Sequence, residues 1–245
     1  MLLNKLSAAT LRPLVDAAGR VLLCAALGLV AAAHAQSAQK LYPARAPLTQ
    51  YLSESQAVEI ELARSAAPTA ISSHAEILVL DAKGYSTAVP GQNGFTCLVE
   101  RSWNNYFDGA EFWNPVIRAP ICYNAPAARS VLPSYLKRTQ WVMDNVPIGD
   151  MAQRMKDAVA KGAVTAPETG AMSYMMSPRG YLSDAAGHAH PHLMFYLPRM
   201  EASTWGANLH DVPVTADPGI PEPLTVFFAP MPRWSDGTPI GHDAH

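Results

Sequence analysis

The chain has 245 residues, 49% of them hydrophobic and 16% charged, with 18 Lys and Arg against 20 Asp and Glu and a formal charge of −2. That length and apolar content suffice for one sizeable core. The absence of any run of Lys or Arg excludes the clustered positive charge on which nucleic-acid binding and anionic membrane surfaces depend.

The N-terminus has the order of a secretory leader. Lys5, Arg12 and Arg20 precede an apolar stretch over 21–33, which leads into Ala33-His34-Ala35. The small residues at 33 and 35 place cleavage before Gln36, and the apolar stretch is too short for a stable spanning helix. Cys24 follows Leu23, too bulky for the small residue expected before a lipid-modified cysteine, so the leader reads as cleaved rather than lipidated. Its removal takes Lys5, Arg12, Arg20 and Asp16 and leaves 15 basic and 19 acidic residues, a formal charge of −4. No further apolar run approaches transmembrane length. The expected location is therefore periplasmic or secreted, without a transmembrane anchor in the mature chain.

Residues 36–50 are polar and interrupted by Pro43 and Pro47, which reads as a flexible arm. From 51 to 245 the pattern is that of a single domain. Ser53 with Gln56 three residues on has the form of a capping box. It opens a helix over 54–66 that carries Val58, Ile60 and Leu62 and ends before Pro68. Residues 76–80 form a short apolar run, hence a buried strand, and 85–89 a second. The turn formers Pro90-Gly91-Gln92-Asn93-Gly94 then predict a hairpin between 85–89 and 95–101. Residues 102–120 read as an ordered loop packed down by Trp103, Tyr106, Phe107, Phe112 and Trp113. Two helices follow, over 127–145 and 149–161, the second stopped by Gly162. Strands are expected over 172–176, 193–197 and 224–229, and a Pro/Gly-rich tail from 230. This order gives an α+β fold, a mainly antiparallel sheet packed by about three helices, and not the alternation of a parallel α/β fold.

Two cysteines remain after cleavage, Cys97 and Cys122. An even pair in an oxidising compartment reads as one disulfide, stabilising by about 3 kcal/mol through the unfolded chain. A cysteine metal site is the competing reading, but there is no C-x-x-C.

The densest chemical feature is Gly187-His188-Ala189-His190-Pro191-His192. Imidazole ligates zinc and copper and titrates near neutrality. In an extended chain His188, His190 and His192 share one face. At a rise of about 3.3 Å per residue, neighbours lie about 7 Å apart and the outer pair about 13 Å. Two of them can converge on one ion, with a further ligand from Asp184, His210, His74 or Glu168. Such a site with zinc would activate a water for hydrolysis. Met172, Met175, Met176, Met194 and Met200 would add thioethers suited to copper, or serve as core filler. The plain alternative is that the histidines pack structurally, and that the domain binds a small molecule or an envelope partner through Trp103, Tyr106 and Trp113. Ser134-Tyr135-Leu136-Lys137 matches S-x-x-K but lacks both companion motifs of penicillin-recognising enzymes. His242 and His245 lie in the tail.

Several stretches carry a resemblance: Asn93-Gly94-Phe95-Thr96-Cys97-Leu98-Val99-Glu100-Arg101-Ser102-Trp103, Phe112-Trp113-Asn114-Pro115, Arg118-Ala119-Pro120-Ile121-Cys122, the His run through Phe195, and Trp205-Gly206-Ala207-Asn208. Together they resemble an uncharacterised family of exported bacterial proteins. The resemblance covers most of the mature domain. It implies a single exported domain and carries no activity, cofactor or ligand with it.

Overall fold

The computed structural model describes residues 42–187, 190–219 and 221–241. The leader, His188, His242 and His245 lie outside the described residues. Those described fall in one compact unit. Among them are five α-helices and an eight-stranded sheet, which is the expected α+β class.

Helix α1 (Gln56–Arg64) is capped by Ser55, whose side chain accepts from the Val58 amide. The cap is not Ser53, which hydrogen-bonds Glu59 instead. Val58 faces solvent, while Glu59 and Ala63 are buried. A short helix, α2 (Thr69–Ser72), leads into β1 (Glu76–Asp81).

The hairpin forms one strand earlier than the turn residues predict. β1 pairs antiparallel with β2 (Gly84–Val89) around Ala82-Lys83, with Asp81 opposite Gly84. Gly84 has φ +112°, a conformation glycine adopts at little cost. β3 (Thr96–Glu100) then runs parallel to β1, with Glu76 opposite Thr96 and Ile77 opposite Cys97. Residues 90–95 are thus a crossover rather than a hairpin turn. They wrap the start of β1, where Gln92 N–H donates to His74 O and Glu76 N–H to Phe95 O. A Cβ on Gly91 would lie 2.4 Å from the Glu76 nitrogen.

β4 (Ala119–Tyr123) lies where the sequence suggested the end of a loop, and Pro120 disguises it. It pairs antiparallel with β3 and sets Cys97 opposite Cys122, which form the expected disulfide. The predicted helix over 127–145 is two helices, α3 (Ala125–Ser130) and α4 (Leu132–Met143), which meet at Val131. Pro133 has no N–H, and its ring opposes the carbonyl four residues back, so one continuous helix is broken there. α5 (Ile148–Ala160) buries Met151 and Met155 and stops at Gly162 with φ +69°.

β5 (Met172–Met175), β6 (His192–Pro198), β7 (Thr215–Gly219) and β8 (Leu224–Pro230) complete the sheet in the order β2-β1-β3-β4-β5-β6-β8-β7. Every pairing except β1 with β3 is antiparallel. Strand parity divides the sheet into two faces. Leu78, Leu80, Leu98, Ile121, Tyr123, Met194 and Tyr196 share one core with α3, α4 and α5. Ile77, Val79, Cys97, Val99 and Cys122 form the other, against the small residues Ala63, Ala66 and Ala67. The described part of the arm is tied to the domain, with Tyr42 OH donating to Asp184 Oδ2 at 2.7 Å and Arg45 to Val142 O at 2.8 Å. Among the described residues no helix is long and apolar enough to cross a membrane.

Candidate functional site

Between the first sheet face and α4 lies a cleft of about 380 Å³. The strand register builds its wall. Glu100 on β3, Ile121 and Tyr123 on β4, Met175 on β5, His192, Met194 and Tyr196 on β6, Val226 and Phe228 on β8 and Asp217 on β7 all share one parity. Val131, Ser134, Tyr135 and Arg138 of α3–α4 close the other side. The lining is mainly apolar and aromatic, with few polar groups, as in small-molecule sites generally.

Glu100 is the polar centre. It is only 5% exposed. Its Oε1 accepts from Tyr123 OH at 2.6 Å and its Oε2 from Asn104 Nδ2 at 3.1 Å. Burial pushes its carboxyl above the usual range, against the opposing pull of the Tyr123 and Asn104 hydrogen bonds and the Arg138 charge. Burial first, then the Glu100 charge, raises the Tyr123 phenol well above its ordinary value. Tyr196 OH shares a hydrogen bond with Ser173 at 2.8 Å, and its ring lies 6.0 Å from that of Tyr123.

The neighbouring cations are committed elsewhere. Arg138 donates through Nε and Nη2 to Glu222 Oε1 at 3.0 and 2.6 Å, and through Nη1 to the carbonyls of Trp103, Asn104 and Asn105. Its guanidinium also lies 4.3 Å from the Phe107 ring centroid. Arg101, next to Glu100 in sequence, forms a buried ion pair with Glu59 of α1 at 2.8 Å and donates to Tyr51 O. Asp217, on the cleft wall, accepts from Tyr106 OH. Among the described residues neither Glu100 nor Asp217 has an ion-pair partner.

Of the histidine run, His192 opens β6 and lines the cleft, His190 is exposed and His188 lies outside the described residues. His192 Nδ1 is 2.7 Å from His190 O. A carbonyl only accepts, so Nδ1 carries the hydrogen and Nε2 keeps its lone pair. Burial lowers the His192 pKa and holds the ring neutral near pH 7. The further ligands considered for a metal lie apart from it in other networks. Asp184 accepts from Tyr42, Asn114 and Tyr181. His210 pairs with Asp211, Glu168 with Arg129, and His74 is exposed. Among the described residues no group of three His, Cys, Asp or Glu side chains is arranged to hold a metal ion. Met175 and Met194 line the cleft, and Met176 is buried.

The aromatic loop divides. Trp103 is fully buried, with Nε1 donating to Thr139 Oγ1 at 2.9 Å, and Trp113 packs edge-on to Phe112 in the core. Tyr106 is 41% exposed and reaches the cleft. Ser134 also reaches it, but its hydroxyl donates back to Val131 O at 2.9 Å within the helix.

Sequence reasoning passed over Glu100, Tyr123, Tyr196 and Arg138. The available signal was a carboxylate ending the apolar run Thr96-Cys97-Leu98-Val99-Glu100. On the period of a strand it falls on the same face as Leu98, where a charge is costly unless it has a task. Comparison of the chain with known protein families, with curated proteins and with solved structures gives no match, so the functional reading rests on the geometry of this cleft.

Proposed function

We propose that this is an exported domain whose cleft binds a small, largely apolar molecule, oriented by a polar group on Glu100. The leader pattern and the resemblance to exported bacterial proteins support export, and the Cys97–Cys122 disulfide fits an oxidising compartment. The observation that carries the binding reading is Glu100 itself. A buried carboxyl held by Tyr123 and Asn104 stands at the wall of a mainly apolar cleft of about 380 Å³. Burying a carboxyl beside an apolar space costs stability. The cost is understandable where a ligand uses the group. Apolar ligand surface contributes about 25 cal/mol per Å² buried, and a few placed polar groups then set orientation.

The direct test is titration of the oxidised protein from residue 36 to 245 with N-phenyl-1-naphthylamine, a neutral dye that brightens in apolar surroundings. One equivalent is expected to bind, and Val226→Trp, which fills the cleft, is expected to abolish the signal while leaving the fold intact by circular dichroism. A folded wild type that binds no dye, or a Val226→Trp variant that binds it equally well, would overturn the reading. N-terminal sequencing of the exported protein is expected to begin at Gln36.

A further inference from the structure

We propose that the molecule the cleft takes is an organic cation, a compact apolar body carrying a protonated amine seated on Glu100. This rests on the cleft being a ligand site and goes on to name the chemistry of its occupant.

The charges around the cleft decide its sign. Two carboxylates on its wall, Glu100 and Asp217, have no ion-pair partner among the described residues. The one cation on the described wall, Arg138, is neutralised by Glu222, and its donors go to that carboxylate and to backbone carbonyls. His192 has its Nδ1 taken by His190 O, and burial disfavours its charged form. An anionic ligand entering here would meet Glu100 and Asp217, and the one cationic donor set on the described wall is already taken up by Glu222 and backbone carbonyls. A cation would give Glu100 a direct counter-charge and favour the ionised form that burial disfavours.

The hydrogen-bond count of Glu100 leaves acceptor capacity for it. Each carboxylate oxygen accepts one hydrogen bond from the protein, from Tyr123 and from Asn104. A carboxylate offers about four acceptor sites in all, so an ammonium N–H can be taken without displacing either. Charge-assisted hydrogen bonds of that kind are about twice as strong as neutral ones. Three tyrosines line the same cleft, Tyr123 and Tyr196 on the sheet side with Glu100 and Tyr135 on the side of α4, and aromatic rings attract ammonium groups through their quadrupole.

The test compares three probes with one apolar body: 1-naphthylmethylamine, 1-naphthylmethanol and 1-naphthoate, titrated into the oxidised protein of residues 36–245 by calorimetry at neutral pH. The amine is expected to bind about tenfold or more tighter than the alcohol, as a charge-assisted contact replaces a neutral one, and the naphthoate to bind more weakly than both. Glu100→Gln is expected to bring the amine down to the affinity of the alcohol and to leave the alcohol within about twofold, whereas Glu100→Asp keeps the preference. Should Glu100→Gln lose its fold, the order of the three probes on the wild type decides alone. If the alcohol or the naphthoate binds as tightly as the amine, the cation assignment falls while the cleft reading stands. If the amine preference survives intact in a folded Glu100→Gln, the seat on Glu100 is wrong. If none of the three binds the folded wild type, the cleft reading itself falls.

Discussion

Tyr123 OH donates to Glu100 Oε1 at 2.6 Å, although the two residues are not opposite each other in the sheet. Glu100 pairs with Ala119 and Tyr123 with Thr96, so four positions separate them along the β3–β4 ladder. At about 3.3 Å per position their backbones stand roughly 13 Å apart. The bond forms because two long side chains on one face reach toward each other along the strands, across the Leu98–Ile121 pair that lies between them. The contact therefore needs both strands, in that register, with that parity.

The raised pKa of Glu100 makes stability depend on pH in a definite direction. Its folded value lies above the ordinary 4.5, because burial outweighs the Tyr123 and Asn104 hydrogen bonds and the Arg138 charge. The native state therefore holds the proton more tightly than the unfolded chain. The corresponding stabilisation is full below 4.5 and is lost as pH rises through the folded pKa. The facing groups are Tyr85 from β2, Tyr123 from β4, Asn104 from the turn after β3, and Tyr135 and Arg138 from α4, with Glu222, Asp217, His192 and Tyr196 elsewhere on the cleft wall. Melting curves of wild type and Glu100→Gln from acid to neutral pH should show their difference moving in favour of the Gln variant as pH rises. A difference that is flat with pH would mean that Glu100 titrates normally.

Arg101 and Glu59 form an ion pair whose side chains are 0% and 2% exposed. Replacing Glu59 by Gln leaves the guanidinium buried without a counter-charge, which is expected to cost about 3–5 kcal/mol. Replacing both residues by apolar ones of similar size should cost less than either single change. Urea unfolding of the singles and the double measures the coupling, and strictly additive effects would show that the pair does not act as a unit.

The disulfide joins two strands that are already paired. Its contribution lies mainly in the unfolded chain, about 3 kcal/mol by loop closure. Cys97→Ala with Cys122→Ala should lower the urea midpoint accordingly while preserving dye binding, since both cysteines lie on the face away from the cleft. Loss of binding in a folded double variant would show that the disulfide positions the wall.

Gly91 reports on the crossover. A methyl group there would lie 2.4 Å from the Glu76 nitrogen, and the neighbouring backbone is fixed by the Gln92–His74 and Glu76–Phe95 hydrogen bonds. Gly91→Ala is expected to cost about 1–3 kcal/mol, the range for forced overpacking. Little change in thermal or urea unfolding would mean that the 90–95 segment does not press on β1.

Much of the chain's local structure was legible in order. The apolar runs that became β1, β6 and β8, the methionine stripe of α5 and its glycine stop are local patterns, and each formed near its expected place. The cysteine pair was legible too, because two cysteines leave one pairing. What misled were signals with two meanings. The Pro-Gly-Gln-Asn-Gly segment marks a reversal but does not say which strand the chain returns to, and here it returns to β1 in parallel. Pro120 concealed β4, and with it the placement of Tyr123.

The candidate site was hidden for the same reason. The histidine run drew attention as a cluster in sequence, yet His192 lines the cleft while His190 is exposed. Glu100, Tyr123, Arg138 and Tyr196 are scattered over nearly a hundred positions and come together only through the register of β3, β4, β5 and β6 under α4. Sequence alone determined the buried face of segments such as β1, β6, β8 and α5, because apolar periodicity is a local property. Which residues share that face with Glu100, and hence that a carboxyl meets an apolar space, was decided only by strand pairing. That pairing is set by the long-range balance of burial and hydrogen bonding, which no single segment contains.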